Sequence, residues 1–467
     1  MIPQASENNQ ANRIYVFVIA MVAAVGGFLF GYDLQIISGA ILYLAPHFNM
    51  TPEDEAFAMS SAMLGCLLGP LIGSYVADSR LGRKWSLMAA AGLFLVSAIG
   101  TALPTTLFQF NVFRIIGGVG VGLASIVSPM YIAEISPARI RGALVSINQL
   151  MIIIGLFIAS LVSWKMAQIL PEATGWRWMF ASETVPIAIL MIGLLFIPRS
   201  PRWLVQRGRV EEGARVLTKI DGHASAIREV EEIRQQLSEE QGTWRELLGP
   251  GVRIALLIAV ALAFFQQWTG VSPSIFYMPK IFEMIGFTKD DAIKQLVIAN
   301  AVNIVMTVVA LLVLDRLGRR PVLLYGLIGM CVGMASWGCA FHFGAPGKVI
   351  FVTFLIALCS YLVSLAPLGW LIMSEVFPAK LRAKGMAVAG ITLWLATFSS
   401  VYLLNPFLIW TADRFGSPGP AFWVFSVICF LVWAFFYKIM PETKGYTLEE
   451  IGDRFLHGRM GNKGEQK

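Results

Sequence analysis

Long apolar runs alternate with short polar loops along almost the whole chain. Twelve of the runs reach or approach the roughly 20 residues that a helix needs to cross a hydrocarbon core about 30 Å thick. They fall near Ile14 to Leu44, Glu55 to Ala77, Trp85 to Leu103, Leu107 to Ile132, Gly142 to Met166, Trp178 to Ile197, Val252 to Phe282, Ile293 to Leu314, Val322 to Phe343, Val349 to Met373, Met386 to Ile409 and Ala421 to Ile439. The first run is too long for a cleavable leader, holds Asp33 and has no small-residue cleavage site before polar sequence, so it is expected to stay as a span. One long polar stretch, Arg199 to Gly249, interrupts the series. Within it Val210, Ala214, Leu217 and Ile220 share one helical face, and Ile227, Val230, Ile233 and Leu237 share another. Those stripes predict short helices on the cytosolic side of the bundles and argue against a loose linker. The expected organisation is an all-α membrane protein: a six-helix bundle over 1–198, a cytosolic helical domain over 199–249, a second six-helix bundle over 250–441 and a cytosolic tail over 442–467.

Composition sharpens this picture. Of 467 residues 57% are hydrophobic and 14% charged, against about 25% charged in a soluble globule. The net charge of +7 would suit a nucleic-acid binder if it lay on one face. The Lys and Arg instead occupy alternate short loops: Arg80, Arg83 and Lys84 after the second run, Arg139 and Arg141 after the fourth, Arg316, Arg319 and Arg320 after the eighth, Lys380, Arg382 and Lys384 after the tenth. That asymmetry predicts both termini in the cytoplasm and no nucleic-acid partner. Cys66, Cys331, Cys339, Cys359 and Cys429 all fall inside spans at no ligand spacing, so they read as packing residues, with no metal site expected.

The halves repeat. Arg80-Leu-Gly-Arg-Lys84 returns as Arg316-Leu-Gly-Arg-Arg320, and Glu134-Ile-Ser-Pro-Ala-Arg139-Ile-Arg141 returns as Glu375-Val-Phe-Pro-Ala-Lys380-Leu-Arg382. Topology alone would explain the shared cations but not the shared Gly, Pro and Glu. Two six-helix halves related by an axis along the membrane normal are a transporter architecture, with the substrate held near the midplane. The seventh run is interrupted at Gly270, Pro273 and Pro279 and the tenth at Pro367 and Gly369, positions equivalent to the first and fourth runs. Broken helices at equivalent positions point to a binding site and its moving gates.

The first and fourth runs carry one charge each in their depths, Asp33 and Arg114. An isolated charge at the centre of a membrane helix costs about 3 kcal/mol on insertion scales, so it needs a partner. If the two runs cross in opposite directions, Asp33 lies roughly 17 Å and Arg114 roughly 10 Å below the outer ends at about 1.5 Å per residue. Both then sit in the outer half, within reach of each other. The flanking Gly27-Phe-Leu-Phe-Gly31 and Gly118-Val-Gly-Val-Gly122 spacings let helix backbones approach closely. Such a pair can be a structural bridge or a proton-coupling element. Glu183, beside Thr184 and Pro186 and without a cationic neighbour in sequence, is expected to serve packing or gating.

Gln149, Gln266, Gln267 and Asn303 are amides inside apolar runs, where each must find hydrogen-bond partners. Amides offer donors and acceptors together, as the hydroxyls of a neutral polyol require, and Trp370 and Trp394 supply flat faces for the C–H surface of a sugar ring. An anionic substrate would instead call for several intramembrane cations.

Over essentially its full length the chain resembles the sugar porters of the major facilitator superfamily. The matching stretches are Gly31-Tyr-Asp33, Arg80-Leu-Gly-Arg-Lys84, Arg114-Ile-Ile-Gly-Gly with Pro129-Met-Tyr-Ile-Ala-Glu134, Ser200-Pro-Arg-Trp203-Leu, Gln266-Gln267, Arg316-Leu-Gly-Arg-Arg320, Trp370 with Glu375, and Pro441-Glu-Thr-Lys-Gly445. The resemblance implies the major facilitator fold. It places Gln149, Gln266, Gln267, Asn303 and Trp370 on sugar-contacting positions, with Phe30 and Trp394 lining the pocket. It also matches Asp33 and Arg114 to the proton-coupling pair of symporters; many facilitative members carry a neutral residue where Asp33 stands. A gating and cytoplasmic network is implied at Arg83, Glu134, Arg141, Glu183, Arg199, Arg319, Glu375, Arg382 and Glu442. Three positions depart from the family pattern: Ser272 and Leu393 stand where relatives commonly have amides, and Arg199 stands where they have an acid. Arg199 is therefore expected to repel Arg139 and Arg141, and Ser272 and Leu393 to shorten or remove two sugar hydrogen bonds.

The function this implies is proton-coupled symport of a monosaccharide, hexose or pentose, by alternating access. Facilitated diffusion on the same fold and a sugar sensor without net transport are the competing readings. No nucleophile constellation supports an enzyme, and no cofactor is expected. The partners are the sugar, the proton and the lipid bilayer, and the expected unit is a functional monomer in a cell membrane, the bacterial inner membrane before the eukaryotic plasma membrane.

Overall fold

The computed structural model describes residues 8–238, 242–249 and 252–440. Its described residues hold twelve helices long and apolar enough to cross a membrane: Asn12–Phe48, Pro52–Gly73, Gly82–Ala102, Leu107–Ile135, Arg141–Ile169, Glu172–Phe196, Val252–Phe276, Lys289–Leu314, Arg319–His342, Gly347–Met373, Lys380–Phe415 and Gly419–Ile439. They are called the first to twelfth spans below. The expected number is met because a run of about 20 apolar residues has no other way to satisfy its backbone in lipid than as a helix.

The chain divides into two compact units, Met1–Phe48 with Ser61–Glu239, and Asn49–Ser60 with Glu240–Lys467. In the N-terminal unit glycines set the closest helix crossings. A side chain on Gly31 would overlap the Ile152 carbonyl of the fifth span, and one on Gly155 would overlap the Phe28 carbonyl of the first. Gly118 faces the Ala62 carbonyl of the second span, and Gly122 meets Cys66 and Gly69 there. The two glycine motifs beside Asp33 and Arg114 thus do not bring the first and fourth spans together; each serves a different neighbour.

The polar stretch is helical, over Pro201–Gln206, Val210–Asp221, His223–Ser238 and Trp244–Leu247. Its first three helices close a small core of Val205, Leu217, Ala226, Val230 and Ile233. The buried face of His223–Ser238 is therefore Ala226, Val230 and Ile233; Ile227 and Leu237 lie exposed, a rotation of the expected stripe by about one residue. Ser200 caps Pro201–Gln206 by accepting from the Trp203 backbone, and Pro201 stands in its first turn. Trp203 Nε1 donates to the Ser79 carbonyl at 3.0 Å, with its ring against Gly82. Gly82 has φ +71°, a backbone region that favours glycine, and any side chain there would strike the indole. The last short helix groups with the C-terminal unit, where Lys384 Nζ donates to the Gly242 carbonyl at 2.8 Å.

The seventh span ends its first segment at Gly270, φ +85°, and resumes as Val271–Phe276 and Met278–Met284. The tenth breaks at Ser364, φ −113° and ψ −89°, between Gly347–Val363 and Leu365–Glu375. The break lies three residues before Pro367, not at it, because a proline disrupts the helix at the carbonyl four residues back, here Val363.

Candidate functional site

In the N-terminal unit Asp33 and Arg114 meet. Arg114 Nη1 donates to Asp33 Oδ1 at 2.9 Å and to the Asp33 main-chain carbonyl at 3.1 Å. The two side chains are 0% and 1% exposed, so the pair lies wholly out of water. Only one guanidinium nitrogen is used. Arg114 Nε and Nη2, Asp33 Oδ2 and Ser97 Oγ have no hydrogen-bond partner among the described residues. A charge network satisfied in part is a poor choice for stability alone, since each buried unmet group is costly.

Glu183 belongs to this cluster, which corrects its assignment to the cytoplasmic network. It is 1% exposed near the middle of the sixth span, and both Asp33 and Arg114 act on it electrostatically. Tyr32, next to Asp33, shares a 2.7 Å hydrogen bond with Ser182, and the Arg114 guanidinium lies 5.8 Å from the Phe180 ring centre. The sixth span therefore closes over the pair. Sequence gave Glu183 no cationic neighbour because Arg114 reaches it from another helix.

In the C-terminal unit the broken helices supply the amide site. Gln266 Nε2 donates to the carbonyls of Leu365 at 3.3 Å and Ala366 at 2.9 Å, just past the Ser364 break. Gly369 is what lets the amide lie flat on the tenth span, since a side chain there would come within 3.0 Å of it. Gln266 Oε1 is buried with no hydrogen-bond partner among the described residues. Ser272 Oγ donates to Gln267 Oε1 at 2.7 Å. Five residues apart on an unbroken helix these side chains would diverge; the left-handed turn at Gly270 re-aims one at the other. Asn303 is buried and its Oδ1 and main-chain oxygen accept from Thr307. Trp394 and Leu393 are buried, while Trp370 is 40% exposed. In the N-terminal unit Phe30 is half-buried and Gln149 exposed; the buried amide on that helix is its neighbour Asn148, which accepts from Ser128 at 2.7 Å.

The repeated basic motif makes the same ion pair in each unit. Arg83 Nε bonds Glu134 Oε2 at 2.9 Å and its Nη1 lies 2.7 Å from Asp78; Ser200 Oγ also donates to Glu134. Arg319 lies 3.5 Å from Glu375. Arg382 is half-buried at the start of the eleventh span, and Glu442, with the Pro441 to Gly445 motif, lies outside the described residues. Arg141 and Arg139 are bound elsewhere than expected, to Glu229 at 3.2 Å and Asp221 at 3.4 Å on the helices of the polar stretch. Burial holds the Glu229 carboxyl above its ordinary range despite the pull of Arg141. Arg199 stacks over Trp203 at 5.3 Å. The expected repulsion from Arg139 and Arg141 is thus absent from the contacts: those cations are matched by carboxylates that sequence reasoning did not pair with them. A further unforeseen ion pair sits in the C-terminal unit, with Lys280 Nζ 3.3 Å from Glu55 Oε1 and Asn405 Nδ2 donating to Glu55 Oε2 at 3.4 Å.

Twelve spans in two repeated six-helix sets, broken helices lined with amides and a buried, half-satisfied ion pair define a secondary transporter of the major facilitator fold. The family described as "Sugar (and other) transporter" matches residues 19–455, and the chain belongs to it. It is 37% identical to the D-xylose-proton symporter of Escherichia coli K12, across 95% of this chain and 96% of that protein. It is also 37% identical to the arabinose-proton symporter of Bacillus subtilis 168, across 94% of each. The solved inward-open structure of the E. coli xylose transporter superimposes with a TM-score of 0.83 at 35% identity, covering 94% of this chain and 99% of that one.

Proposed function

We propose that the protein couples entry of a monosaccharide, pentose or hexose, to entry of a proton, working by alternating access in a bacterial inner membrane with both termini in the cytoplasm and a single chain as the working unit. The observation that carries the reading is the Asp33–Arg114 pair in the apolar interior with Glu183 beside it. A proton on Asp33 removes the charge that holds Arg114, and Glu183 offers the arginine an alternative partner. Proton binding then biases one conformation over the other, as coupling requires. One proton entering down 100 mV supplies roughly 2.3 kcal/mol, and each tenfold sugar gradient requires about 1.4 kcal/mol, so one proton per sugar sustains accumulation of tens-fold. The amides Gln149, Gln266, Gln267 and Asn303, with Ser272, Trp370, Trp394 and Phe30, are the proposed sugar contacts. The ion pairs Arg83–Glu134 and Arg319–Glu375, with Arg141, Arg199, Arg382 and Glu442, are proposed to steady the cytoplasmic ends.

The test is radiolabelled sugar uptake in proteoliposomes, over a panel of pentoses and hexoses, with and without an inward proton gradient. Uptake above equilibrium that collapses with an uncoupler is expected; uptake indifferent to the gradient would leave a facilitator. Gln267→Ala is expected to weaken sugar binding about tenfold, the loss of a buried hydrogen bond worth about 1.5 kcal/mol, with little change in thermal stability without sugar. A fall in stability with affinity intact would make Gln267 a helix tie.

A further inference from the structure

The third span brings a hydroxyl with no role so far to the Asp33–Arg114 pair. Buried Ser60, Ser86 and Thr101 turn their hydroxyls back to the carbonyl four residues earlier on their own helices, a common resort of such side chains. Ser97, 1% exposed, does not: its Oγ has no hydrogen-bond partner among the described residues. It lies against the fourth span, where a methyl built on Gly117 would collide with Ser97 Oγ and come 3.3 Å from Asp33 Oδ1. Both oxygens thus border the one small space that Gly117 leaves open. Asp33 Oδ1 is also the oxygen that Arg114 Nη1 holds at 2.9 Å. While that contact lasts, Ser97 stands beside the carboxylate and bonds to neither of its oxygens.

We propose that Ser97 is a positioning residue for proton coupling: it accepts the hydrogen of protonated Asp33 once Arg114 has let go, and so favours the protonated, unpaired state. The role rests on the coupling function proposed for Asp33. A group that makes no bond in one state and one bond in the other shifts the balance toward the second by whatever that bond is worth. The proton rides on Asp33 Oδ1 and points at Ser97 Oγ, whose own hydrogen turns to the Leu93 carbonyl, as that of Thr101 turns to Ser97. The other titratable groups about Asp33 do not fill this place. Arg114 has no acceptor, Glu183 is the partner offered to the arginine, and the hydroxyl of Tyr32 is bonded to Ser182. The Cys66 thiol of the second span, fully buried within electrostatic range of the pair, is a weak acceptor.

The experiment measures uptake by the full-length protein in proteoliposomes against external pH, with the membrane potential clamped. The probe is whichever of radiolabelled D-xylose, L-arabinose, D-glucose and D-galactose enters fastest. In wild type the rate is expected to fall as pH rises through the midpoint at which Asp33 loses its proton. Ser97→Ala removes the bond that favours the neutral carboxyl, so its midpoint is expected to move to lower pH by about half to one unit. The sugar dissociation constant, measured at acid pH, is expected to stay as in wild type, because the amide site lies on other helices. Ser97→Cys keeps the shape with a weaker acceptor and is expected to share the shift; it also carries the test should the alanine variant fail to fold. An unchanged midpoint, or a rate lowered equally at every pH, would overturn the proposal. So would a wild-type midpoint in Ser97→Cys beside a shifted one in Ser97→Ala, since shape and not the oxygen would then set it. Wild-type uptake that is absent or indifferent to pH would instead overturn the coupling reading itself and this inference with it.

Discussion

Asp33→Asn is expected to take sugar only to equilibrium across a vesicle membrane, where the wild type accumulates it tens-fold, and to lose sugar-induced alkalinisation outside. The asparagine keeps the size of the side chain but can neither release nor bind a proton between the two sides. Sugar counterflow, which needs only binding and the conformational exchange, is expected to survive at a measurable rate because the amide site lies on other helices. Removing one partner of a buried pair leaves the other uncompensated, at a typical cost of about 3–5 kcal/mol. The carbonyl of residue 33 still accepts from Arg114 and softens this loss. Thermal stability is therefore measured beside transport, in the same preparation, so that a damaged fold is not mistaken for lost coupling. Accumulation by Asp33→Asn equal to wild type would falsify the coupling role and move the proton site elsewhere.

The second large effect concerns the fold. Gly118→Ala is expected to abolish or severely destabilise the folded protein, because the new methyl would occupy the place of the Ala62 carbonyl oxygen in the second span. Overpacking an adaptable core costs about 1–3 kcal/mol; here the obstacle is backbone, and two helices must part. A fall in the melting midpoint of about 10 °C or more is expected, read by fluorescence-detected size exclusion after heating. Gly142→Ala is the control, also in a helix but with nothing within 4 Å of the added carbon. It is expected to be neutral or slightly stabilising, since alanine favours helix by about 1 kcal/mol over glycine. Equal behaviour of the two variants would mean that the close crossing of the second and fourth spans does not limit stability.

What the sequence made legible follows from which physical signals are local. Spans are local: an apolar run of sufficient length declares itself. The Asp33–Arg114 pair was legible because each charge stood alone in its run and both fell in the same half of the membrane, within reach of long side chains. Glu183 was not, because its partners lie on helices distant in sequence and nothing near it carries a cation. The same reason hides Glu55–Lys280 and the carboxylates that bind Arg139 and Arg141. The glycine motifs were visible, but a spacing does not say which neighbour a helix face meets. The tenth-span break was expected at the proline and falls where the proline's lost hydrogen bond would have ended. In His223–Ser238 the buried stripe keeps Val230 and Ile233 but takes Ala226 in place of Ile227 and leaves Leu237 exposed, because helical spacing alone does not say which edge of an apolar stripe meets its neighbours.

Arg114 holds Asp33 by two oxygens with a single nitrogen, one belonging to the side chain and the other to the peptide backbone. Only the first changes its charge with the proton. A neutralised Asp33 therefore loosens the guanidinium without setting it adrift: the backbone contact remains as a tether, and the return to the ionised carboxylate is an intramolecular step at high effective concentration. Recapture after each proton release should be fast for that reason, so that resetting the ion pair need not set the pace of the transport cycle.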